Sequence, residues 1–209
     1  LRGNTLSGNF IDRYNSENMD SGRGVCADGF DIVSSMFCMH YFFKNKEMLY
    51  GFLQNVSENL KMGGHFIATL FDGNKIYKLL EKKDIIETRD SNEKLCWSIR
   101  KNFKSKKFPN NESSLGMSIG VYVDTFHKEF EEFLVNINFL REILPKFGLK
   151  LEKEIPFDKI YKSLAKGELK QELSDEGKAF SFLNTTIKIT KTEHVMLGGG
   201  KEEKKKFNL

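Results

Sequence analysis

Hydrophobic positions in the first third of the chain alternate between short continuous runs and one helical stripe. The apolar run Phe30–Phe37 is too short for a helix and is typical of a buried strand. Asn45 is a residue type that caps helix N-termini, and Gly63 and Gly64 are expected to end the helix that follows it. Within that helix, apolar residues recur at the spacing of one face: Leu49, Phe52, Leu53, Val56 and Leu60. His65–Phe71 then predicts a second buried strand.

This alternation of strands and helices predicts an α/β domain with a parallel sheet. Further helices are expected at Lys75–Lys83, along the stripe Phe133, Ile137, Leu140 and Leu144, and over most of Phe157–Leu173. Further strands are expected at Leu95–Phe103, Met117–Asp124, Leu149–Ile155 and Thr185–Thr190. The glycine-rich, charged end of the chain predicts a flexible basic tail over 195–209, which leaves 1–194 as the globular domain.

Composition narrows the class of protein. Of the 209 residues, 39% are hydrophobic, 12% aromatic and 30% charged, which excludes a disordered, collagen-like or disulfide-framework chain. Cys26, Cys38 and Cys96 are scattered without a C-x-x-C motif, which predicts reduced thiols in an intracellular protein and no zinc site. No apolar run approaches the ~20 residues that a membrane helix needs. The 33 basic and 29 acidic residues permit a nucleic-acid partner without requiring one.

The glycine-rich segments do not indicate a phosphate-binding loop. Neither Gly22-x-Gly24 nor Gly198–Gly200 lies between a strand and a helix, as such a loop must. A basic cluster leaves two interpretations open: a solvated edge of the protein, or a surface that contacts the phosphates of a nucleotide or RNA. Its members are Arg100, Lys101, Lys104, Lys106 and Lys107.

His40 and Tyr41 follow directly after the first predicted strand. In open α/β sheets, ligands bind beyond the carboxyl ends of the strands, so this position favours a binding site. The aromatic face of Tyr41 suits stacking on a nucleobase. Packing in the core is the alternative interpretation of the pair.

Glu131 and Glu132 precede the helical stripe that begins at Phe133. One interpretation places both acids in the first turn of a helix, where the helix dipole favours negative charge. The other uses the fact that a carboxylate only accepts hydrogen bonds. The Watson–Crick edge of guanine offers two neighbouring donors, so one well-placed glutamate selects guanine over adenine.

Taken together, several segments resemble the mRNA cap guanine-N7 methyltransferases. The amino-acid sequence of these segments is most similar to the methyltransferase domains in the capping enzymes of large DNA viruses. The resemblance extends over roughly residues 30–191. The segments that carry the resemblance are Phe30–Phe43, Leu60–Gly73, Gly116–Phe126, Glu131–Leu140 and Ser174–Lys191.

The resemblance implies a class I, Rossmann-like S-adenosylmethionine-dependent methyltransferase fold with cap-methyltransferase insertions. It also implies methyl transfer from S-adenosylmethionine to N7 of the cap guanine. His40 and Glu132 would then bind the guanine, and Tyr41 would lie between the guanine and the cofactor. Met36, where the family usually has Gln, and Asn4, where it usually has Asp, would lie near the cofactor. Guanine N7 carries no proton, so these are positioning residues, and no catalytic base is expected.

The family's cofactor motif, an apolar strand that runs into a glycine-rich loop, should precede the matched segments. We therefore expect an N-terminally truncated domain whose activity alone is weak or absent. Its expected partners are the capped RNA 5′ end and other capping-enzyme domains or a stimulatory subunit, in the nucleus or in a cytoplasmic viral factory. Two alternatives stay open: an inert methyltransferase-like subunit that stabilises a capping enzyme or binds RNA for it, and a small-molecule methyltransferase of the same fold.

Overall fold

The computed structural model describes residues 28–164 and 172–195. The strands are β1 (Phe30–Met36), β2 (Leu60–Phe71), β3 (Ile85–Arg89), β4 (Leu95–Lys101), β5 (Ser118–Val123), β6 (Lys128–Phe133), β7 (Leu149–Pro156) and β8 (Asn184–Lys191). The helices are α1 (Lys46–Asn59), α2 (Gly73–Leu80), α3 (Ile137–Ile143), α4 (Phe157–Leu164) and α5 (Asp175–Ser181). Several predictions fall outside the described residues: the role of Asn4, the interpretations of Gly22-x-Gly24 and Cys26, the continuation of a helix over 165–171, and the tail over 196–209.

The strands form two four-stranded sheets. The first sheet has the order β1-β2-β8-β7, with β1 and β2 parallel and β8 antiparallel to both of its neighbours. The second sheet has the order β3-β4-β5-β6 and is antiparallel throughout. The predicted α/β class and the parallel β1-α1-β2 unit are therefore confirmed. The prediction of a parallel sheet is wrong beyond this unit, because β8 pairs antiparallel with β2 and β7, and the separate antiparallel sheet was not foreseen.

Helix α1 begins as the sequence predicts and ends earlier. The Asn45 side chain accepts a hydrogen bond from the Met48 backbone N–H at 2.9 Å, which satisfies a free donor of the first turn. The prediction that Gly63 and Gly64 end the helix is wrong, because α1 ends at Asn59 and both glycines lie within β2. Gly63 has φ +75°, and a Cβ on Gly64 would lie 2.9 Å from a β1 carbonyl oxygen. The glycines therefore serve the irregular start of the β1–β2 pairing.

The acidic segment before α3 forms a strand instead of a helical turn. Glu131 and Glu132 lie on β6, which pairs with β5, so their interpretation as first-turn helix residues is wrong. Helix α3 starts later, at Ile137, where the Asn136 side chain accepts a hydrogen bond from the Phe139 N–H at 3.0 Å. Phe133 belongs to the strand and not to the helical stripe.

Two hydrophobic clusters hold these elements together. The first cluster lies between the first sheet, α1 and α3, and includes Phe43, Leu53, Phe66, Leu140 and Ile187. The second joins the second sheet to α2 and includes Ile76, Leu80, Ile99, Ile119 and Leu183. Within the described ranges, no helix combines the length and the apolar character needed to cross a membrane.

Candidate functional site

The candidate site begins where β1 ends. After Met36 the chain turns at Phe37, whose φ of +54° lies in the left-handed region that bulky residues rarely adopt. The Phe37 N–H donates to the Thr69 carbonyl oxygen of β2 at 2.9 Å, which fixes this turn at the carboxyl ends of both parallel strands. The chain then enters a short 3₁₀ helix, Met39–Lys44, which carries the predicted His-Tyr pair. Strained backbone of this kind concentrates at functional sites.

His40 and Glu132 meet at this position although they come from different parts of the fold. The His40 Nδ1 lies 3.5 Å from the Glu132 Oε2, and both side chains are largely buried, with 6% and 16% of their surface exposed. Nε2 of His40 is also buried and has no hydrogen-bond partner among the described residues. Since a buried polar atom without a partner destabilises the fold, this nitrogen indicates a place for a ligand atom.

Burial shifts both groups of this pair toward their neutral forms. Loss of water raises the pKa of the Glu132 carboxyl to about 7 and lowers the pKa of the His40 imidazole to about 4. At neutral pH His40 is therefore uncharged, and Glu132 is near the midpoint of its titration. The 3.5 Å contact is not an ion pair at that pH, and the site carries at most one negative charge.

Exposed apolar side chains surround the mouth of the site. The Tyr41 ring lies 4.1 Å from the His40 ring, centroid to centroid, and Tyr41 remains 46% exposed. Met36 and Phe37 are exposed as well, and the Phe37 ring contacts the edge of the Phe157 ring at 6.2 Å. Exposed apolar residues grouped around a buried polar pair are typical of a binding site.

The sequence reasoning missed Phe37 and Phe157. The signal of Phe37 is its positive φ, which only the structure reveals. Phe157 comes from the first turn of α4 and contacts Phe37 only through the tertiary fold. Among the predicted residues, His40 lies beside both Glu132 and Tyr41, and Met36 is exposed at the end of β1; their roles stay predictions.

The predicted basic surface is dispersed. Arg100 and Lys101 are neighbours on β4, so their side chains point to opposite faces of the second sheet. Arg100 bonds the carboxylate of Glu129, whereas the Lys101 Nζ donates to a carbonyl oxygen at the end of α2 at 3.2 Å. Lys104 lies beyond β4 and is exposed. The structure thus does not bring the three to one surface, and their contact with phosphates stays a prediction.

Chemically, the arrangement suits a flat, polar ring. Glu132 offers carboxyl oxygens, the neutral His40 offers one free ring nitrogen, and Tyr41 offers an aromatic face. The buried pair therefore offers hydrogen-bonding atoms to a polar ligand.

Comparison with known proteins gives a family match. The model of the mRNA (guanine-N(7))-methyltransferase domain family matches residues 9–205. The mRNA cap guanine-N(7) methyltransferase of Saccharomyces cerevisiae is 32% identical over 140 residues, which cover 63% of this chain and 30% of that protein. The probable mRNA-capping enzyme of Acanthamoeba polyphaga mimivirus is 26% identical over 140 residues, covering 63% of this chain and 12% of that protein.

The chain thus spans about a third or less of the length of the curated relatives that it matches. Among solved structures, an S-adenosylmethionine-dependent methyltransferase from Clostridium acetobutylicum matches 91% of this chain and 63% of its own. That match has 16% sequence identity and a TM-score of 0.44.

Proposed function

Because the chain belongs to the mRNA (guanine-N7)-methyltransferase family, with the class I methyltransferase fold predicted above, we propose that it methylates N7 of the guanine that caps mRNA. One structural observation supports this proposal in addition to family membership. The buried Glu132 and His40 side chains, the latter with an unpartnered Nε2, lie beside the exposed ring of Tyr41. These three residue types bind a purine by its edge and by its face.

Glu132 would recognise the guanine by its Watson–Crick edge. When ionised, its two carboxylate oxygens accept hydrogen bonds from the ring N–H and the exocyclic amine, which are adjacent donors on guanine. Adenine presents an acceptor in place of the ring N–H, so a carboxylate oxygen would face a lone pair. The free Nε2 of His40 is available for a further polar atom of the same base.

S-adenosylmethionine would bind at the carboxyl end of β1. Met36, Phe37 and Tyr41 present exposed apolar and aromatic side chains there, which suit the adenine ring and the positively charged sulfur of this cofactor. When bound, the cofactor supplies a methyl group that is already activated by the sulfonium. Tyr41, beside His40, would form the wall between the base and the cofactor.

The residues of this chain then act by holding the base in place. Guanine N7 has a free lone pair and no proton to lose, so no side chain needs to act as a base. Contacts of Glu132 with the base edge and of Tyr41 with the base face would restrict the guanine to one orientation. In favourable cases, orientation of the reactants alone lowers the activation free energy by ~7–11 kcal/mol. The base gains positive charge during the reaction, and an ionised Glu132 attracts that charge.

The test compares binding and transfer in the 209-residue chain. We expect GpppG to bind at least about tenfold more tightly than ApppA, because adenine leaves the carboxylate without its donors. We expect at most weak transfer of the radiolabelled methyl group from S-adenosylmethionine to GpppG by this chain alone, and transfer above background would exclude the inert-subunit alternative. Equal affinity for GpppG and ApppA would contradict the guanine site.

The partners and the place of action follow from this proposal. The substrate would be the capped 5′ end of an mRNA, and the remaining parts of a capping apparatus would be the protein partners. Because the relatives include fungal proteins and a viral capping enzyme, the activity would be located in a nucleus or in a viral factory.

A further inference from the structure

Two phenylalanine rings are exposed at the outer end of the β5–β6 hairpin. Phe126, in the turn, is 68% exposed, and Phe130, on β6, is 41% exposed. The two rings contact each other edge to face with centroids 6.0 Å apart, and the Lys128 Nζ lies 5.5 Å from the Phe130 ring centroid. We call Phe126, Lys128 and Phe130 the hairpin surface. Large aromatic side chains that stay exposed next to a cation indicate a binding surface.

The hairpin surface is continuous with the proposed guanine site. Side chains alternate along a strand, so Lys128, Phe130 and Glu132 point to the same face of β6 at intervals of about 7 Å. The row runs from Glu132, beside His40, to the tip of the hairpin. Strand β6 lies at an edge of its sheet within residues 28–164 and 172–195, so no described strand covers its outer side.

The charges of β6 are separated between its two faces. Glu129 and Glu131 alternate with the row and therefore point to the opposite face. There Glu129 binds Arg100, and Glu131 accepts a hydrogen bond from the Ser118 hydroxyl at 2.8 Å. Apart from Glu132, the side chains on this face of β6 are thus Lys128 and Phe130. A cation beside an aromatic ring is complementary to a nucleic acid, which carries phosphates and aromatic bases.

We propose that the hairpin surface binds the first nucleotides of the RNA that follows the cap. Phe130 and Phe126 would stack on a base, and Lys128 would contact a backbone phosphate. This inference rests on the proposed function, because it takes its starting point from a cap guanine held at Glu132. It goes beyond that function because it assigns a separate site to the RNA chain.

The experiment compares GpppG with a capped RNA of about five nucleotides, by fluorescence anisotropy of the 209-residue chain. Base–aromatic stacking predicts that the wild type binds the capped RNA about five- to a hundredfold more tightly than GpppG. F130A should lose most of this difference and keep its GpppG affinity, whereas F130W should retain the difference. K128Q should lower the slope of log affinity against log salt concentration for the capped RNA by about one.

The matched control is I85A, which removes an exposed apolar side chain at the other edge strand of the same sheet. It should leave both affinities unchanged, and thermal unfolding should show that every variant is folded. The inference is overturned if the wild type binds the two ligands equally, or if F130A weakens both by the same factor. Failure of the wild type to bind GpppG, or unchanged GpppG binding in E132Q, would instead overturn the proposed function.

Discussion

Guanine binding should depend on pH through Glu132. If only the ionised carboxylate accepts both donors of guanine, the affinity follows the ionised fraction of this group. With a pKa of about 7, that fraction rises from about one tenth at pH 6 to about nine tenths at pH 8, so GpppG should bind about tenfold more tightly at the higher pH. His40 stays neutral throughout this range, because its pKa is about 4.

The assay is isothermal titration calorimetry with GpppG at pH 6, 7 and 8. E132Q should bind GpppG about ten- to a hundredfold more weakly than the wild type at pH 8, since it loses a charged acceptor. Its affinity for GpppG should not rise between pH 6 and 8. E131Q is the matched control, because Glu131 lies next to Glu132 but points to the opposite face of β6. A wild-type affinity that is constant from pH 6 to 8, or an equal rise in E132Q, would refute the reasoning.

Further predictions concern stability and the partner of Glu132. The folded protein holds the Glu132 proton more tightly than the unfolded chain, so this group destabilises the fold as pH rises from 4.5 through about 7. E132Q should therefore raise the free energy of unfolding at pH 8 by about 2–3 kcal/mol, and not at pH 4.5, as urea denaturation would show. H40F keeps a ring of similar shape but removes Nε2, so GpppG affinity should fall about fivefold or more while the melting temperature changes little; a large loss of stability with normal binding would show a structural role instead. K191M removes two buried hydrogen bonds, from Lys191 Nζ to the Ser57 and Leu60 carbonyl oxygens at 2.7 and 2.8 Å. It should lower the free energy of unfolding by about 2–4 kcal/mol, whereas the half-exposed control K188M should have a much smaller effect in the same urea titration. N45A should lower the free energy of unfolding by about 1 kcal/mol, because it removes the cap of α1. An unchanged midpoint of urea denaturation would contradict the role of that cap.

Local signals predicted the first half of the fold well. Apolar runs identified β1 and β2, and the Asn45 cap located the start of α1, because each of these features depends on residues close together in sequence. Gly63 and Gly64 led to a wrong prediction of the end of α1, because glycine occurs both at helix ends and where strands approach closely. The β1–β2 contact that requires Gly64 is not visible before the strands are paired.

Strand β6 shows why the rest could not be predicted. Its sequence, KEFEEF, carries charged residues on both faces, so it has no apolar alternation to signal a strand. What makes it a strand is pairing with β5. The resemblance selected Glu132 and His40, but their shifted pKa values result from burial, which depends on the whole fold.

Each of the two sheets contributes different residues to the candidate site. Met36 and the turn at Phe37 extend from the first sheet, whereas Glu132 belongs to the second. The two sheets pack against largely different hydrophobic clusters, so substitutions in the second cluster would act first on the proposed base contact at Glu132. Under the proposed function, substrate choice and methyl-donor binding would therefore depend on substitutions in different sheets. A ligand that bridges His40 and Glu132 would also add a contact between the elements of the two sheets.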